Sequence, residues 1–253
     1  MNLGLVELGQ LNKKYAKKRP VGLIVADVLS FLYVFIFVCY FVFCCVFIQA
    51  EVVGASMQPT FNSNLSYSED ANKSVYKDIV YANRFQKGTN GDIVLVNRPS
   101  GVAIKRIIAT SGQQLSLRKI ENNVFRYYLK QNNEAEEILL EETYLKENSL
   151  DMDLTYFNSL NENLRVWEFA KEIDLNISFI EGQSLTFTIP KNTVFVLGDN
   201  RVIFDDGSDR IISEDSSVYG PISTDEILGK VSFYYEYNQN FLSFLWQQIC
   251  SIF

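Results

Sequence analysis

The sequence predicts a mainly β domain behind a single N-terminal transmembrane helix, with an acidic α/β segment inserted into the β-scaffold. Three observations carry this. Residues 28–48 are 21 consecutive positions without a charge, enough to cross a bilayer core of about 30 Å as one helix. Beyond residue 77, short β-branched or aromatic runs alternate with Gly, Asn and Pro signals. Between them, residues 131–181 carry 13 acidic side chains against 3 basic ones.

The N-terminal segment, 1–27, contains Lys13, Lys14, Lys17, Lys18 and Arg19. A basic flank on the inner side of a span sets orientation. Residues 1–27 are therefore expected in the cytoplasm, 28–49 in the plasma membrane, and 50–240 outside it. A cleavable leader has a shorter apolar core, roughly 7–15 residues, so the length favours a retained anchor.

Residues 62–77 are rich in Asn, Ser, Asp and Lys and read as a surface loop. The predicted strands cover 78–83, 92–97, 102–109, 124–129, 185–189, 193–197 and 230–237. Weak helical periodicity falls at 144–150 and 164–173, inside the acidic block, which reads as a solvated cap or subdomain. The apolar, aromatic tail 241–253 is short for a span. It fits either the membrane interface or a place against the core.

Several functions are excluded early. The net charge is −7, and an acidic chain with an acidic block is a poor nucleic-acid binder. Cys39, Cys44 and Cys45 lie in the apolar run and Cys250 near the end, so 50–249 hold no disulfide. There is no histidine, which removes Cys/His zinc patterns. No metal or cofactor is expected, and the chain is expected to be a monomer.

The absence of histidine also constrains catalysis. Ser56, in Ser56-Met57-Gln58-Pro59-Thr60, follows the apolar run by eight residues, a reach of at most about 26–29 Å. A serine nucleophile needs a base, usually histidine. Here Lys105 is the best alternative, in Val102-Ala103-Ile104-Lys105-Arg106-Ile107-Ile108. With the ordinary lysine pKa of about 10.4, only about 1 in 2,500 is neutral at pH 7. Burial among Ala103, Ile104, Ile107 and Ile108 lowers that pKa. Alternation along a strand sends Arg106 to the other face, where it is expected to stay solvated. Taken alone, Lys105 reads as a strand-edge lysine on a solvated face and Ser56 as a loop or capping serine, and the surrounding pattern is what raises them. Met57 suits a cleft wall, Pro59 restricts Gln58, and Gly54 leaves backbone N–H groups, Ser56's above all, to form an oxyanion hole.

These segments resemble, in order, the boxes of the bacterial type I signal peptidases. Gly54-Ala55-Ser56-Met57-Gln58-Pro59-Thr60-Phe61 is similar to their nucleophile box, and Asp78-Ile79-Val80-Tyr81-Ala82-Asn83 to the next. Gly91-Asp92-Ile93-Val94-Leu95-Val96 is similar to their Gly-Asp-Ile-Val strand. Ile104-Lys105-Arg106-Ile107-Ile108-Ala109 with Gly112 resembles the general-base box, and Val196-Leu197-Gly198-Asp199-Asn200-Arg201 the last.

The resemblance implies a membrane serine endopeptidase that removes signal peptides from exported preproteins after small-x-small motifs. It implies Ser56 as nucleophile, Lys105 as base, Ser213 orienting the lysine amine, and Asp199 and Asp215 as supports. Its partners would be preproteins and the lipid bilayer. Three departures stand out. Ala109 and Ser111 replace a common glycine and proline. Ser217 stands where the family places an arginine after Asp215, leaving Arg201 or Arg210 as substitutes. The missing arginine keeps open a non-catalytic tethered binding protein, and a processing enzyme with narrow clients is a second alternative.

Overall fold

A computed structural model describes residues 20–63, 77–121, 124–131, 136–145, 152, 154–166, 177–180, 184–201, 204–205, 208–211 and 215–236. The chain divides into two units, Met1–Val46 and Phe47–Phe253.

In the first unit, helix α1 runs Val21–Val46. The carbonyl of Pro20 accepts from the N–H groups of Leu23 and Ile24 and opens the first turn. At 1.5 Å per residue its 26 residues reach about 39 Å. It is long and apolar enough to cross a membrane. The helix starts earlier than the uncharged run and takes in Asp27. It also stops short of residue 49, because Phe47, Ile48 and Gln49 belong to a strand.

The second unit is built on antiparallel sheets. Its elements are β1 Phe47–Glu51, β2 Ile79–Asn83, β3 Ile93–Arg98, β4 Gly101–Thr110, β5 Gln114–Glu121, β6 Val124–Lys130, β7 Ile138–Leu139 and α2 Leu154–Val166, followed by β8 Ile177–Ile180, β9 Ser184–Thr188, β10 Thr193–Leu197, β11 Phe204–Asp205, β12 Ser208–Ile211, α3 Ser216–Tyr219, β13 Ile222–Ser223 and β14 Ile227–Tyr235. Among the described residues, one sheet has seven strands in the order β1-β2-β14-β3-β4-β10-β13, and a second has five in the order β7-β6-β5-β9-β8. Strands β11 and β12 form a small ribbon.

Strands β4 and β10 link the sheets. The chain leaves β4 through Gly112, whose φ of 83° suits glycine, and returns from β9 at Ile189. Ile189 and the 112–113 turn exchange hydrogen bonds, Gly112 N to Ile189 O and Ile189 N to Gln113 O. One apolar cluster crosses the junction. It joins Ile108, Ala109, Phe195 and Leu197 of the large sheet to Leu115, Leu117, Phe125, Tyr127, Leu185 and Phe187 of the small one.

The described part of 131–181 does not form a core of its own. Met152, Tyr156, Phe157 and Leu160 join that same cluster, and the Tyr156 and Tyr127 hydroxyls share a hydrogen bond. Helix α2 overlaps the expected 164–173 at 164–166, and 146–150 and 167–173 lie outside the described residues. Tyr144 is in a turn, and α2 begins at Leu154. Its face Tyr156, Phe157, Leu160 follows helical spacing. The tail 241–253 lies outside the described residues.

Candidate active site

The Ser56 loop begins where β1 ends. Among the described residues β1 is an edge strand, paired with β2 from Phe47↔Asn83 to Glu51↔Ile79. The chain then crosses Val52 to Asn62 without regular pairing. Gly54 has φ 83°, a conformation that favours glycine there. The Gln58–Pro59 peptide is cis.

Asn62 closes the loop. It is buried with φ 53°, a left-handed conformation asparagine tolerates. Its amide nitrogen donates to Val52 O at 2.8 Å and to Gly54 O at 3.3 Å. It also exchanges two bonds with Asp78: Asn62 N to Asp78 Oδ2 at 2.7 Å, and Asp78 N to Asn62 Oδ1 at 3.0 Å. Gln58 Nε2 donates to Asn62 O. Asn62 is therefore a tie inside the fold, where a surface loop was expected to begin. Beneath the loop, Met57 and Phe61 are buried with Val52, Val80, Ala82, Leu95 and Ile104. Met57 is thus part of the apolar floor. Pro59 is half-buried.

Lys105 lies on β4 opposite Val94 of β3 and is 3% exposed. Strand alternation puts it on one face with Val94 and Ile107. Those two are buried with Val96, Val194, Val196, Ile222 and Ile227. Ile104 serves the opposite face, in the cluster under Ser56.

Arg106 is not solvated, contrary to expectation. It reaches Asp199 through two parallel bonds, Nε to Oδ1 at 2.8 Å and Nη2 to Oδ2 at 2.6 Å. A third bond joins Nη1 to Gly91 O at 2.7 Å. Asp199 is fully buried and also accepts from Thr60 Oγ1 at 2.5 Å. A buried carboxylate demands such partners, and the planar guanidinium matches it in fork geometry.

This pair holds the turn after β10 against the serine loop. Asn200 N donates to Ser56 O at 3.0 Å, and Asn200 Nδ2 to Ala55 O at 3.1 Å. A Cβ on Gly198 would come within 2.4 Å of Ser56 O, so only glycine permits this approach. Leu197 pairs with Arg106 across β10 and β4. The next residue in that antiparallel register brings Gly198 to the level of Lys105.

Asp215 caps α3. Its Oδ1 accepts from Ser217 Oγ at 2.6 Å and Ser217 N at 3.0 Å, and its Oδ2 from Gly198 N at 3.1 Å. Ser217, standing where the resemblance places an arginine, thus bonds Asp215 directly. Arg201, one proposed substitute, goes elsewhere: it is buried against Glu142. The side chain of Arg210 and all of Ser213 lie outside the described residues.

A depression of about 250 Å³ opens on the Arg106 side, lined by Thr60, Phe61, Arg106 and Tyr234 among others. Neither Ser56 nor Lys105 lines it. Among the described residues no cluster of acidic or cysteine side chains is arranged to hold a metal.

Thr60, Asn62, Arg106, Gly198 and Asn200 were not singled out from the sequence as site residues. A signal existed for Gly198: a glycine directly after the fully buried strand β10 and before Asp-Asn invites close backbone approach.

The family model described as signal peptidase, peptidase S26, matches residues 25–236. The chain belongs to this family, the type I signal peptidases, and is a serine protease. Among solved structures it is similar to a signal peptidase I from Enterococcus faecalis V583. The identity is 20%, covering 58% of this chain and 98% of that one, with a TM-score of 0.30. No curated protein matches the chain.

Proposed function

We propose that this protein is a membrane-anchored Ser/Lys endopeptidase that removes signal peptides from exported preproteins after small-x-small motifs. Neutral Lys105 takes the proton from Ser56 Oγ, and the alkoxide attacks the scissile carbonyl. The amine leaves with a proton from Lys105, forming an ester on Ser56. A water activated by Lys105 then hydrolyses it.

The observation that carries this reading is a buried lysine at the level of a glycine turn that grips the Ser56 backbone. Burial disfavours the charged form of a lysine, and the chain has no histidine to act instead. The Asp215–Ser217 bond supports it further by filling the place of the absent arginine. Among the described residues β1 is the outer strand of its sheet and leads into the Ser56 loop, and an extended peptide adds to such an edge. Gly54, Met57, Pro59, Asp199 and Asp215 shape and support the site. Ser213 orients the Lys105 amine.

In this reading α1 is the anchor, its N-terminus cytoplasmic and residues 50–240 extracytoplasmic, and the enzyme works as a monomer. Tethering raises the effective concentration of enzyme for a substrate embedded in the same bilayer. The test is cleavage of a signal-peptide-bearing precursor by the purified full chain in detergent. Wild type is expected to cut after a small-x-small motif, with Ser56→Ala and Lys105→Ala folded and inactive. An active Lys105→Ala variant refutes the base assignment.

A further inference from the structure

Segment 141–145 belongs to the acidic insertion, yet Glu142 and Tyr144 turn toward the residues around Ser56. Glu142 is buried. It receives both terminal nitrogens of Arg201: Nη2 to Oε1, and Nη1 to Oε2 at 3.2 Å. The same guanidinium turns its Nε to Gly198 O at 2.8 Å. Gly198 is the residue whose backbone lies against Ser56 O.

Two residues on, the Tyr144 ring lies 3.8 Å beneath the Arg106 guanidinium. Arg106 is the partner of Asp199. The Tyr144 hydroxyl donates to Glu142 Oε1 at 2.8 Å, which joins the two arms. Burial works against the Arg201 charge, but Glu142 outweighs it and holds the guanidinium above its ordinary value. Burial pushes the Tyr144 phenol up, so it stays a donor.

We infer that Glu142 and Tyr144 are positioning residues for the nucleophile: through Arg201 and Arg106 they set the Gly198–Asn200 turn against Ser56. The inference rests on Ser56 as nucleophile. Each arm ends on the turn: Glu142–Arg201 on the Gly198 carbonyl, and Tyr144–Arg106 on the Asp199 carboxylate. The turn in turn holds the carbonyls of Ala55 and Ser56 through Asn200. The insertion therefore supplies parts of the site, in addition to packing α2 on the core.

The experiment is single-turnover cleavage of a signal-peptide-bearing precursor by the full chain in detergent, with Tm and folded fraction measured for each variant. Glu142→Gln removes the charge facing Arg201. It is expected to lower kcat per folded molecule on the order of 10- to 100-fold, the cost of a small misplacement of reacting groups, with KM little changed. Tyr144→Leu, at a half-buried position, should lower kcat about 10-fold, on the scale of losing a cation–π contact. Tyr144→Phe keeps the ring over Arg106 and should recover most of that loss. Tyr144→Leu keeps the test decisive if Glu142→Gln does not fold. If the variants lose only Tm while kcat per folded molecule stays at the wild-type value, the inference is overturned. A dead Ser56→Ala beside fast Glu142 and Tyr144 variants overturns this inference alone. An active Ser56→Ala overturns the nucleophile reading, and this inference with it.

Discussion

Lys105 and Arg106 are one peptide bond apart on β4, and they occupy opposite chemical worlds. Lys105 faces Val94 and Ile107 on a side packed with valine and isoleucine. Arg106 faces Asp199, Thr60 and Tyr144, a side organised by charge and hydrogen bonds. The same strand alternation produces both. The difference teaches that residue type does not set a cation's role. In the proposed mechanism the amine on the first face accepts a proton. The polar face favours a fixed charge that organises backbone.

Replacing each cation by methionine breaks the comparison most directly. Lys105→Met should abolish cleavage, by about 10⁴-fold or more as for other members of a catalytic unit. Its loss of stability should be smaller than that of Arg106→Met, because the buried Asp199 carboxylate depends on Arg106. Arg106→Met should act first on stability, and on cleavage through the turn that Asp199 holds. It leaves Asp199 buried without its cation, a loss of about 3–5 kcal/mol, read as a fall in denaturant midpoint. Equal stability losses in the two variants would erase the distinction between the faces.

Gly198→Ala sharpens it next. The new Cβ must displace Ser56 O, whose hypothetical contact is 2.4 Å. Single-turnover cleavage should fall about 100-fold, with Lys105 and Arg106 untouched. Asn62→Ala acts on the far end of the loop. It removes the ties to Val52, Gly54 and Asp78 and should cost about 2–3 kcal/mol in chemical denaturation.

The smallest effect concerns pH. Burial works against the Asp92 charge. The Lys230 ammonium at 2.8 Å and the Thr89 donors outweigh it, holding this carboxyl below its ordinary value. A lowered carboxyl stabilises the fold above the ordinary aspartate value of about 3.9 and loses that contribution as pH falls through its folded value. The Tm gap between wild type and Asp92→Asn should therefore close on acidification below that range. A gap that widens would contradict the sign.

Much of the scaffold was legible in the sequence because its strands are short, β-branched and well punctuated. β10 falls where 193–197 predicted it, and β4 differs from 102–109 by one residue at each end. β5 was missed: Arg118, Lys119 and Glu121 disguise a strand whose Leu115 and Leu117 are buried at period two. β1 was missed because Phe47 and Ile48 continue the composition of the membrane run. Only pairing with Ala82 and Asn83 makes them a strand.

At the site, Ser56 and Lys105 stood out from local pattern and from the lack of histidine. Asp199 was expected as a support, but its partners were not. Thr60 is 139 positions away in the chain and Arg106 is 93. Glu142 looked like one acid among many, and only the fold shows Arg201 across from it. Contacts of that separation leave no periodic trace.

The central claim is that neutral Lys105 activates Ser56, and the most direct measurement is the pH dependence of Ser56 acylation. It would be followed by intact mass with a serine-directed acylating probe, in wild type and Lys105→Met. The account predicts a single-proton acid limb in wild type with its midpoint below the ordinary lysine value of about 10.4, and no measurable acylation in the variant. Acylation of Lys105→Met at the wild-type rate, with the same acid limb, would contradict it.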